Sequence, residues 1–240
     1  MSNFLLNVDA ETKFGLISGA GAVGGPIGEE LLKWPFTDWR VIFTRRSDEA
    51  VAALRRQIEE NAPKAAWRAN VIKLDPADPR DIEGLIRWLR RDRIRLDMLV
   101  LASGKAILDS AAKHDSYKEN LRSNYESKQE LCASLLASRS VESRGDLVVI
   151  SSKVLDFAQN AAEVADQQGY RASIAALEHW TRELRSTDVG KELHRINVPR
   201  VPLVMGSTAD EYLEKGIVPQ SVVPTDPYSY ARVILDEVIG

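Results

Sequence analysis

From one end to the other, the chain alternates short apolar runs with longer amphipathic stretches. The first five apolar runs have four to six residues, are rich in Val, Ile and Leu, and show no polar alternation. Such runs are typical of strands covered on both faces of a parallel sheet. The predicted strands are Phe14–Ser18, Val41–Thr44, Ala69–Leu74, Met98–Ala102, Leu147–Ser151 and Ile196–Val198. The predicted helices are Ile27–Trp34, Asp48–Glu60, Arg80–Arg93, Tyr117–Arg139, Gln168–Ser186 and Tyr228–Ile239.

Strict alternation of strand and helix implies right-handed crossovers and a doubly wound α/β sheet. There is no internal repeat and no linker rich in Pro, Gly or Ser, so residues 1–240 are predicted to form a single domain. Residues 199–226 are too long for a plain connection, with a short helical piece expected around Thr208–Glu214. We expect this segment to form loops on the substrate side.

Composition excludes several classes of protein. The 240 residues carry a net charge of −3, which argues against a nucleic-acid binder. A single cysteine (Cys132) and three scattered histidines argue against a disulfide framework and a metal site. No apolar run has the 18 or more residues that a membrane span requires, and Met1–Phe4 does not resemble a signal peptide. We expect a soluble, cytoplasmic protein without a bound metal.

A glycine-rich segment follows the first predicted strand and leads into the first helix. Five glycines between residues 18 and 29 would let backbone N–H groups approach a pyrophosphate, with the positive end of a helix behind them. A flexible loop is the alternative interpretation. The residues assigned to cofactor binding here are Ser18, Gly19, Gly21, Gly25, Ile27 and Gly28.

The ends of the next three strands extend this predicted dinucleotide site. Arg45 and Arg46 end the second strand, with no acidic residue before Asp48. Arginine at this place accommodates a 2′-phosphate, so the pair favours NADP(H) over NAD(H), unless both are simply solvated at a helix start. Asp75 ends the third strand, and the fourth ends at Ala102, Ser103 and Gly104, where glycine permits close passage against a ligand.

Together these motifs resemble the short-chain dehydrogenase/reductase family over nearly the whole chain. Ser18-Gly19 and Ile27-Gly28 match the ends of the family's glycine motif, with about three extra residues between them. Leu74-Asp75 and Ala102-Ser103-Gly104 resemble its later cofactor contacts. Asn124, the Ser151-Ser152 pair and Tyr170-Arg171-Ala172-Ser173 resemble its active-site asparagine, serine and tyrosine motifs.

The resemblance implies a Rossmann-like sheet of about six strands in the order 3-2-1-4-5-6. It implies that Tyr170 donates a proton, that Ser152 polarises a carbonyl oxygen, and that Asn124 orders a relay water. The helices Tyr117–Arg139 and Gln168–Ser186 resemble those through which family members pair, so a homodimer or homotetramer is expected.

One departure from the family is chemically important. The family has a lysine four residues after the tyrosine, where this chain has Ile174. A nearby cation lowers a tyrosine pKa by roughly 1–3 units. Without it the tyrosine stays neutral, which favours carbonyl reduction over alcohol oxidation. Lys153 is the first candidate to compensate, because it follows Ser152 directly; Lys105 and Lys128 are the others.

The sequence therefore predicts an NADPH-dependent reductase of a carbonyl or imine group in a small metabolite. One alternative is a protein that binds NADP(H) as a sensor or structural element, or that catalyses a cyclisation or isomerisation. Another is a pseudoenzyme without a cofactor. Both alternatives depend on departures from the family pattern, Ile174 and the lengthened glycine loop respectively.

Overall fold

The computed structural model describes residues 11–35, 37–107, 115–153, 167–201 and 225–239. The strands are β1 (Lys13–Ser18), β2 (Trp39–Arg45), β3 (Ala69–Lys73), β4 (Leu96–Leu101), β5 (Val141–Val149), β6 (Ser151–Ser152), β7 (Arg195–Asn197) and β8 (Arg200–Val201). The α-helices are α1 (Gly24–Leu32), α2 (Asp48–Asn61), α3 (Pro79–Arg91), α4 (Ser116–Leu121), α5 (Ser127–Ala137), α6 (Gln168–Ser186), α7 (Asp188–Glu192) and α8 (Pro227–Ile239). A short 3₁₀ turn (Ala66–Arg68) precedes β3, and a π-helical turn (Arg122–Glu126) joins α4 to α5.

Six strands form one parallel sheet in the order β3-β2-β1-β4-β5-β7. This confirms the predicted doubly wound α/β fold, with β7 as the predicted sixth strand. Past the end of β5, the short β6 and β8 form a separate parallel ladder in which Ser151 pairs with Arg200 and Ser152 with Val201. The carboxyl ends of β1, β4 and β5 therefore lie side by side.

The apolar runs form strands because helices cover both faces of the sheet. On one face, Ile17, Phe43 and Val100 pack in a core with α1, α2 and α8. On the other, neighbouring strand residues such as Leu16 and Leu99 pack with α3, α5 and α6. Successive side chains of a strand point to opposite faces, so a strand buried on both has no polar alternation.

Two helices differ most from their predicted bounds, and α2, α3 and α8 differ from theirs by one or two residues. Helix α1 begins at Gly24, three residues before the predicted Ile27, and packs so closely that a Cβ on Gly24 would lie 2.6 Å from the carbonyl oxygen of Gly19. The predicted helix Tyr117–Arg139 contains the π-helical turn, so it consists of α4, this turn and α5. The predicted helical piece Thr208–Glu214 lies outside the described residues.

Candidate active site

An open cleft lies at the carboxyl edge of the sheet. Its lining includes Arg46, Asp75, Ser103 and Lys105, which follow three different strands, and Arg122 from the π-helical turn. Ligands of open α/β sheets bind outside the carboxyl ends of the strands, where the strand order reverses. Here that point lies between β1 and β4.

The glycine-rich turn after β1 packs directly against the loop after β4. Gly19 has a φ of +82°, and a Cβ there would lie 2.3 Å from the Cα of Ser103. The turn is held by a hydrogen bond from the Gly19 amide to Thr44 Oγ1 (3.0 Å) and one from the Ala102 amide to the Ser18 carbonyl (2.8 Å). No residue but glycine fits at position 19.

The other predicted residues of this turn have different surroundings. Gly21 lies beside Arg45, with 3.5 Å between its Cβ position and a guanidinium nitrogen, and a Cβ on Gly25 would make only ordinary contacts. Gly28 packs against the ring of Phe43, 2.2 Å from its Cβ position. The side chain of Ile27 is 1% exposed and belongs to the core, so it does not face the cleft.

The two arginines at the end of β2 have separate positions. Arg45 crosses the glycine-rich turn and donates a 2.7 Å hydrogen bond to the carbonyl oxygen of Ala20. Arg46 is exposed and lines the cleft together with Asp75, whose carboxylate accepts a 3.0 Å hydrogen bond from the amide of Ala77. The structure thus brings Arg46, Asp75 and Ser103 together around one opening.

Ser152 and Tyr170 meet beyond the end of β5. Ser152 lies on β6 and Tyr170 in the first turn of α6, and their side chains share a hydrogen bond. Burial raises the pKa of Tyr170 above its ordinary value, and the bond with Ser152 only partly opposes this. Tyr170 is therefore a protonated phenol at neutral pH. Ser151 points elsewhere, since its hydroxyl donates a 2.6 Å hydrogen bond to Glu178.

Asn124 is 2% exposed and sits in the π-helical turn, a distortion frequently found at functional sites. Its oxygen accepts a hydrogen bond from the amide of Lys105 (2.9 Å). Its amide nitrogen donates to the carbonyl of Lys105 (2.8 Å) and to Ser173 Oγ (3.2 Å). A Cβ on Gly104, whose φ is +142°, would lie 2.4 Å from Asn124 Oδ1. Asn124 thus ties the loop after β4 to α6, three residues from Tyr170.

Burial differs between Ile174, which occupies the family's lysine position, and the three candidate lysines. Ile174 is 3% exposed. Lys153 and Lys105 are exposed. Lys128 is 3% exposed, its ammonium donates a 3.0 Å hydrogen bond to the carbonyl oxygen of Ile150, and burial lowers its pKa to about 7. The compensating role predicted for Lys153 stays a prediction.

Several polar residues near this site were not predicted. Asn120 is fully buried and holds the backbone of Ile107 through both its amide atoms, at 2.8 and 3.1 Å. Together with Asn124 and Lys128 it forms a polar stripe at every fourth residue, a spacing that could have identified it. Glu178 and Arg200 form a close ion pair (2.7 Å) beneath Ser151, and no short motif marks either residue.

Within the described residues there is no group of three or more His, Cys, Asp or Glu that could hold a metal ion. Likewise, none of the helices in the described ranges is both long and apolar enough to cross a membrane.

This combination of a doubly wound sheet, a glycine-rich turn after β1 and a serine–tyrosine pair after β5 defines a class of Rossmann-like α/β proteins. The chain belongs to the short-chain dehydrogenase family, whose sequence profile matches residues 16–213. No curated protein is significantly similar to the chain in sequence.

Solved structures share the fold at low sequence identity. A variant of the actinorhodin polyketide ketoreductase with NADPH is 18% identical, with a TM-score of 0.75 over 97% of this chain and 92% of that one. The protein ElxO with NADP bound is 18% identical, with a TM-score of 0.71 over 93% and 90%. A short-chain dehydrogenase from Streptomyces avermitilis is 21% identical, with a TM-score of 0.71 over 95% and 84%.

Proposed function

We propose that this protein is an NADPH-dependent reductase that acts on a carbonyl or imine group of a small metabolite. The observation that carries the proposal is the hydrogen-bonded pair of Ser152 and a protonated, half-buried Tyr170 beyond the end of β5. A neutral phenol is the form that can donate a proton to the product oxygen of a reduction.

The residues around the glycine-rich turn fit a phosphorylated dinucleotide. The N-terminus of α1 and the turn offer backbone N–H groups to a pyrophosphate, and Gly19 keeps that approach open. Ser18 Oγ and Ser103 Oγ are buried without a hydrogen-bond partner among the described residues. Two of the similar structures were solved with NADPH or NADP. The guanidinium of Arg46, exposed at the cleft, would pair with a 2′-phosphate.

In this proposal the cofactor supplies the hydride and the protein supplies the proton. NADPH, when bound, supplies a hydride to the carbonyl or imine carbon and is oxidised to NADP⁺. Ser152 donates a hydrogen bond to the reacting oxygen or nitrogen, and Tyr170 transfers its phenolic proton to that atom as the double bond is reduced. Asn124 holds the loop after β4 in place and orders the relay water that returns a proton to Tyr170. Lys153 is a candidate to support this relay from the exposed end of β6.

The proposal is tested first by cofactor binding. NADPH and NADH are each titrated into the purified protein while nicotinamide fluorescence is followed. We expect NADPH to bind at least about tenfold more tightly than NADH, because a 2′-phosphate adds a charge-assisted contact worth about 1.5–3 kcal/mol. Absence of binding by either nucleotide would remove the reductase proposal.

Tyr170→Phe then separates chemistry from binding. Panels of ketones, aldehydes and cyclic imines are screened for NADPH consumption with the wild-type protein and the variant. We expect Tyr170→Phe to lower kcat by about 10²–10⁴-fold for a carbonyl substrate, while the Kd for NADPH stays within about threefold. Tyr117→Phe is the matched control, because Tyr117 is 49% exposed. Turnover that survives in Tyr170→Phe contradicts the proposed role of the phenol.

A specific observation favours one alternative. Because Ile174 is buried and uncharged, the site lacks the family's cation at that position. Tight NADPH binding without NADPH consumption on any panel would favour a non-redox protein that uses the nucleotide as a sensor or structural element.

A further inference from the structure

Lys128 is a buried lysine for which the described part of the chain provides no carboxylate partner. Its side chain lies inside the protein on the inner face of α5, and its ammonium has one hydrogen-bond partner there, the carbonyl oxygen of Ile150 at 3.0 Å. Burying an ammonium group without a counter-charge costs several kcal/mol. The described residues offer it no carboxylate at ion-pair distance, so this cost has no compensation in ordinary salt-bridge chemistry.

The position of the Ile150 carbonyl places this ammonium at the active site. The N–H of Ile150 donates to the carbonyl of Leu101 on β4 (3.1 Å). The N–H and C=O of an extended residue point to the same side of its strand, so the ammonium lies between the ends of β4 and β5. Ser151 and Ser152 follow Ile150 immediately, and Asn124 lies one turn before Lys128 on the same helical face.

We propose that Lys128 is the cation of this active site, a positioning residue that holds the strand end carrying Ser152 and places positive charge behind the Ser152–Tyr170 pair. The assignment rests on the reductase function proposed above. It explains how a chain with Ile174 retains a cation at the site: the positive charge comes from α5, beneath the serine, instead of from α6. Among the three candidate lysines, only Lys128 is buried.

The titratable groups around Lys128 are neutral, exposed or paired with other residues. Cys132, one turn further along α5, is a neutral thiol because burial raises its pKa to about 12. Glu178 on α6 is paired with Arg200, and Lys105 after β4 is exposed. Glu126 and Glu130 interact with Arg122 on the opposite face of the helix. Asp97 on β4 accepts a hydrogen bond from the Phe14 amide (2.9 Å), and Asp146 on β5 pairs with His194 (3.1 Å). Tyr170 on α6 is the titratable group hydrogen-bonded to Ser152.

Lys128→Met tests the assignment, since methionine is an unbranched side chain only one atom shorter than lysine and carries no charge. We expect kcat to fall by at least about tenfold, while the Kd for NADPH measured by fluorescence changes by less than about threefold. We also expect the Tm to stay level or rise, because the variant no longer buries a charge. Loss of activity without loss of stability separates a functional lysine from a structural one.

A double variant tests whether a lysine at the family position can replace Lys128. Adding Ile174→Lys to Lys128→Met returns a lysine to the family position, and we expect this double variant to recover at least about a third of the wild-type kcat. In the wild type, kcat should fall as pH rises through about 7, where the ammonium loses its proton, and this limb should be absent from Lys128→Met. Lys191→Met is the matched control, because this exposed lysine lies on α7.

Three outcomes would overturn the assignment. The first is a kcat within twofold of the wild type in Lys128→Met. The second is lost activity together with a lowered Tm and no recovery on adding Ile174→Lys, which would make the lysine structural. The third is a fall of kcat through pH 7 that persists in Lys128→Met, which would assign this titration to another group. Failure of the reductase proposal is recognised separately, because the wild type would then not consume NADPH on any panel, whether or not it binds the nucleotide.

Discussion

At the residue scale, the cleft depends on glycines, whose lack of a side chain permits close packing. Gly19 lets the turn after β1 approach the loop after β4, and Gly28 lets α1 approach the ring of Phe43, more closely than a Cβ atom would permit. Gly84, on α3, has no atom within 4 Å of its Cβ position. The same residue type is therefore a packing requirement at two positions and a replaceable residue at the third.

Alanine substitutions should separate these two kinds of glycine. We expect Gly28→Ala to destabilise the protein by about 1–3 kcal/mol, because the new methyl group meets the buried Phe43 ring. Gly84→Ala, the matched control, should stabilise it by about 0.5–1 kcal/mol through helix propensity and the unfolded chain. Urea unfolding of both variants measures the difference. Equal stability of the two variants would show that α1 can move away from β2 at little cost.

At the element scale, an ion pair joins the end of β5 to α6 and β8. Glu178 on α6 accepts hydrogen bonds from Ser151 on β6 and from two guanidinium nitrogens of Arg200 on β8, at 2.6–2.8 Å. The carboxylate is buried, whereas the Arg200 side chain is 41% exposed. This contact aligns the β6–β8 ladder on which Ser152 stands.

Arg200→Met should loosen that ladder in a pH-dependent way. Arg200 lowers the pKa of Glu178 below the ordinary 4.5, so the pair stabilises the protein above that pH and the contribution is lost as pH falls through the lowered value. We expect a loss of about 1–3 kcal/mol at pH 7, reduced from the value for a fully buried pair by solvent screening. The difference from the wild type in denaturant unfolding should vanish under more acidic conditions.

Arg91→Met is the control for Arg200→Met, because Arg91 forms an exposed ion pair with its neighbour Asp92 (2.7 Å). This variant should leave the unfolding midpoint unchanged at both pH values. A wild-type advantage over Arg200→Met that persists at low pH would mean that Arg200 acts through packing, and not through the charge of Glu178.

At the scale of the whole molecule, the cleft is shared by elements far apart in sequence. Arg46 follows β2, Asp75 follows β3 and Ser103 follows β4. Helix α8 covers the face of the sheet on which α1 and α2 also pack. There Tyr228 and Asn61 donate hydrogen bonds, each 2.9 Å, to the buried Glu29. A ligand in the cleft touches the ends of several strands at once and therefore opposes unfolding of the sheet as a unit. Association through α4, α5 and α6 stays a prediction.

Nucleotide binding should accordingly stabilise the whole domain. We expect NADPH at 100 times its Kd to add about 2.7 kcal/mol to the free energy of unfolding, seen as a higher Tm. Arg46→Ala should weaken NADPH binding by about tenfold or more and leave NADH binding unchanged, if Arg46 holds the 2′-phosphate. Arg56→Ala, at an exposed arginine on α2, is the control. Equal effects of Arg46→Ala on both nucleotides would contradict that role.

The strands were predictable from local signals, and the serine–tyrosine pair from motifs that resemble those of the family. Apolar runs covered on both faces identify strands, and a motif such as Tyr170 with Ser173 keeps its spacing along one helix. Predicting Ser152 over Ser151 depended on family resemblance alone. In the structure, successive residues of this strand point to opposite sides, so Ser152 is hydrogen-bonded to Tyr170 and Ser151 to Glu178. The catalytic role of Ser152 stays a prediction.

Burial and charge pairing, in contrast, were decided by tertiary structure. The sequence determined that Ile174 replaces a lysine and that three other lysines lie near the motifs. Only the packing of α5 against the ends of β4 and β5 makes Lys128 the buried one, and only the meeting of α6 with β8 pairs Glu178 with Arg200. Desolvation and ion pairing depend on distances between segments remote in sequence, which no local pattern encodes.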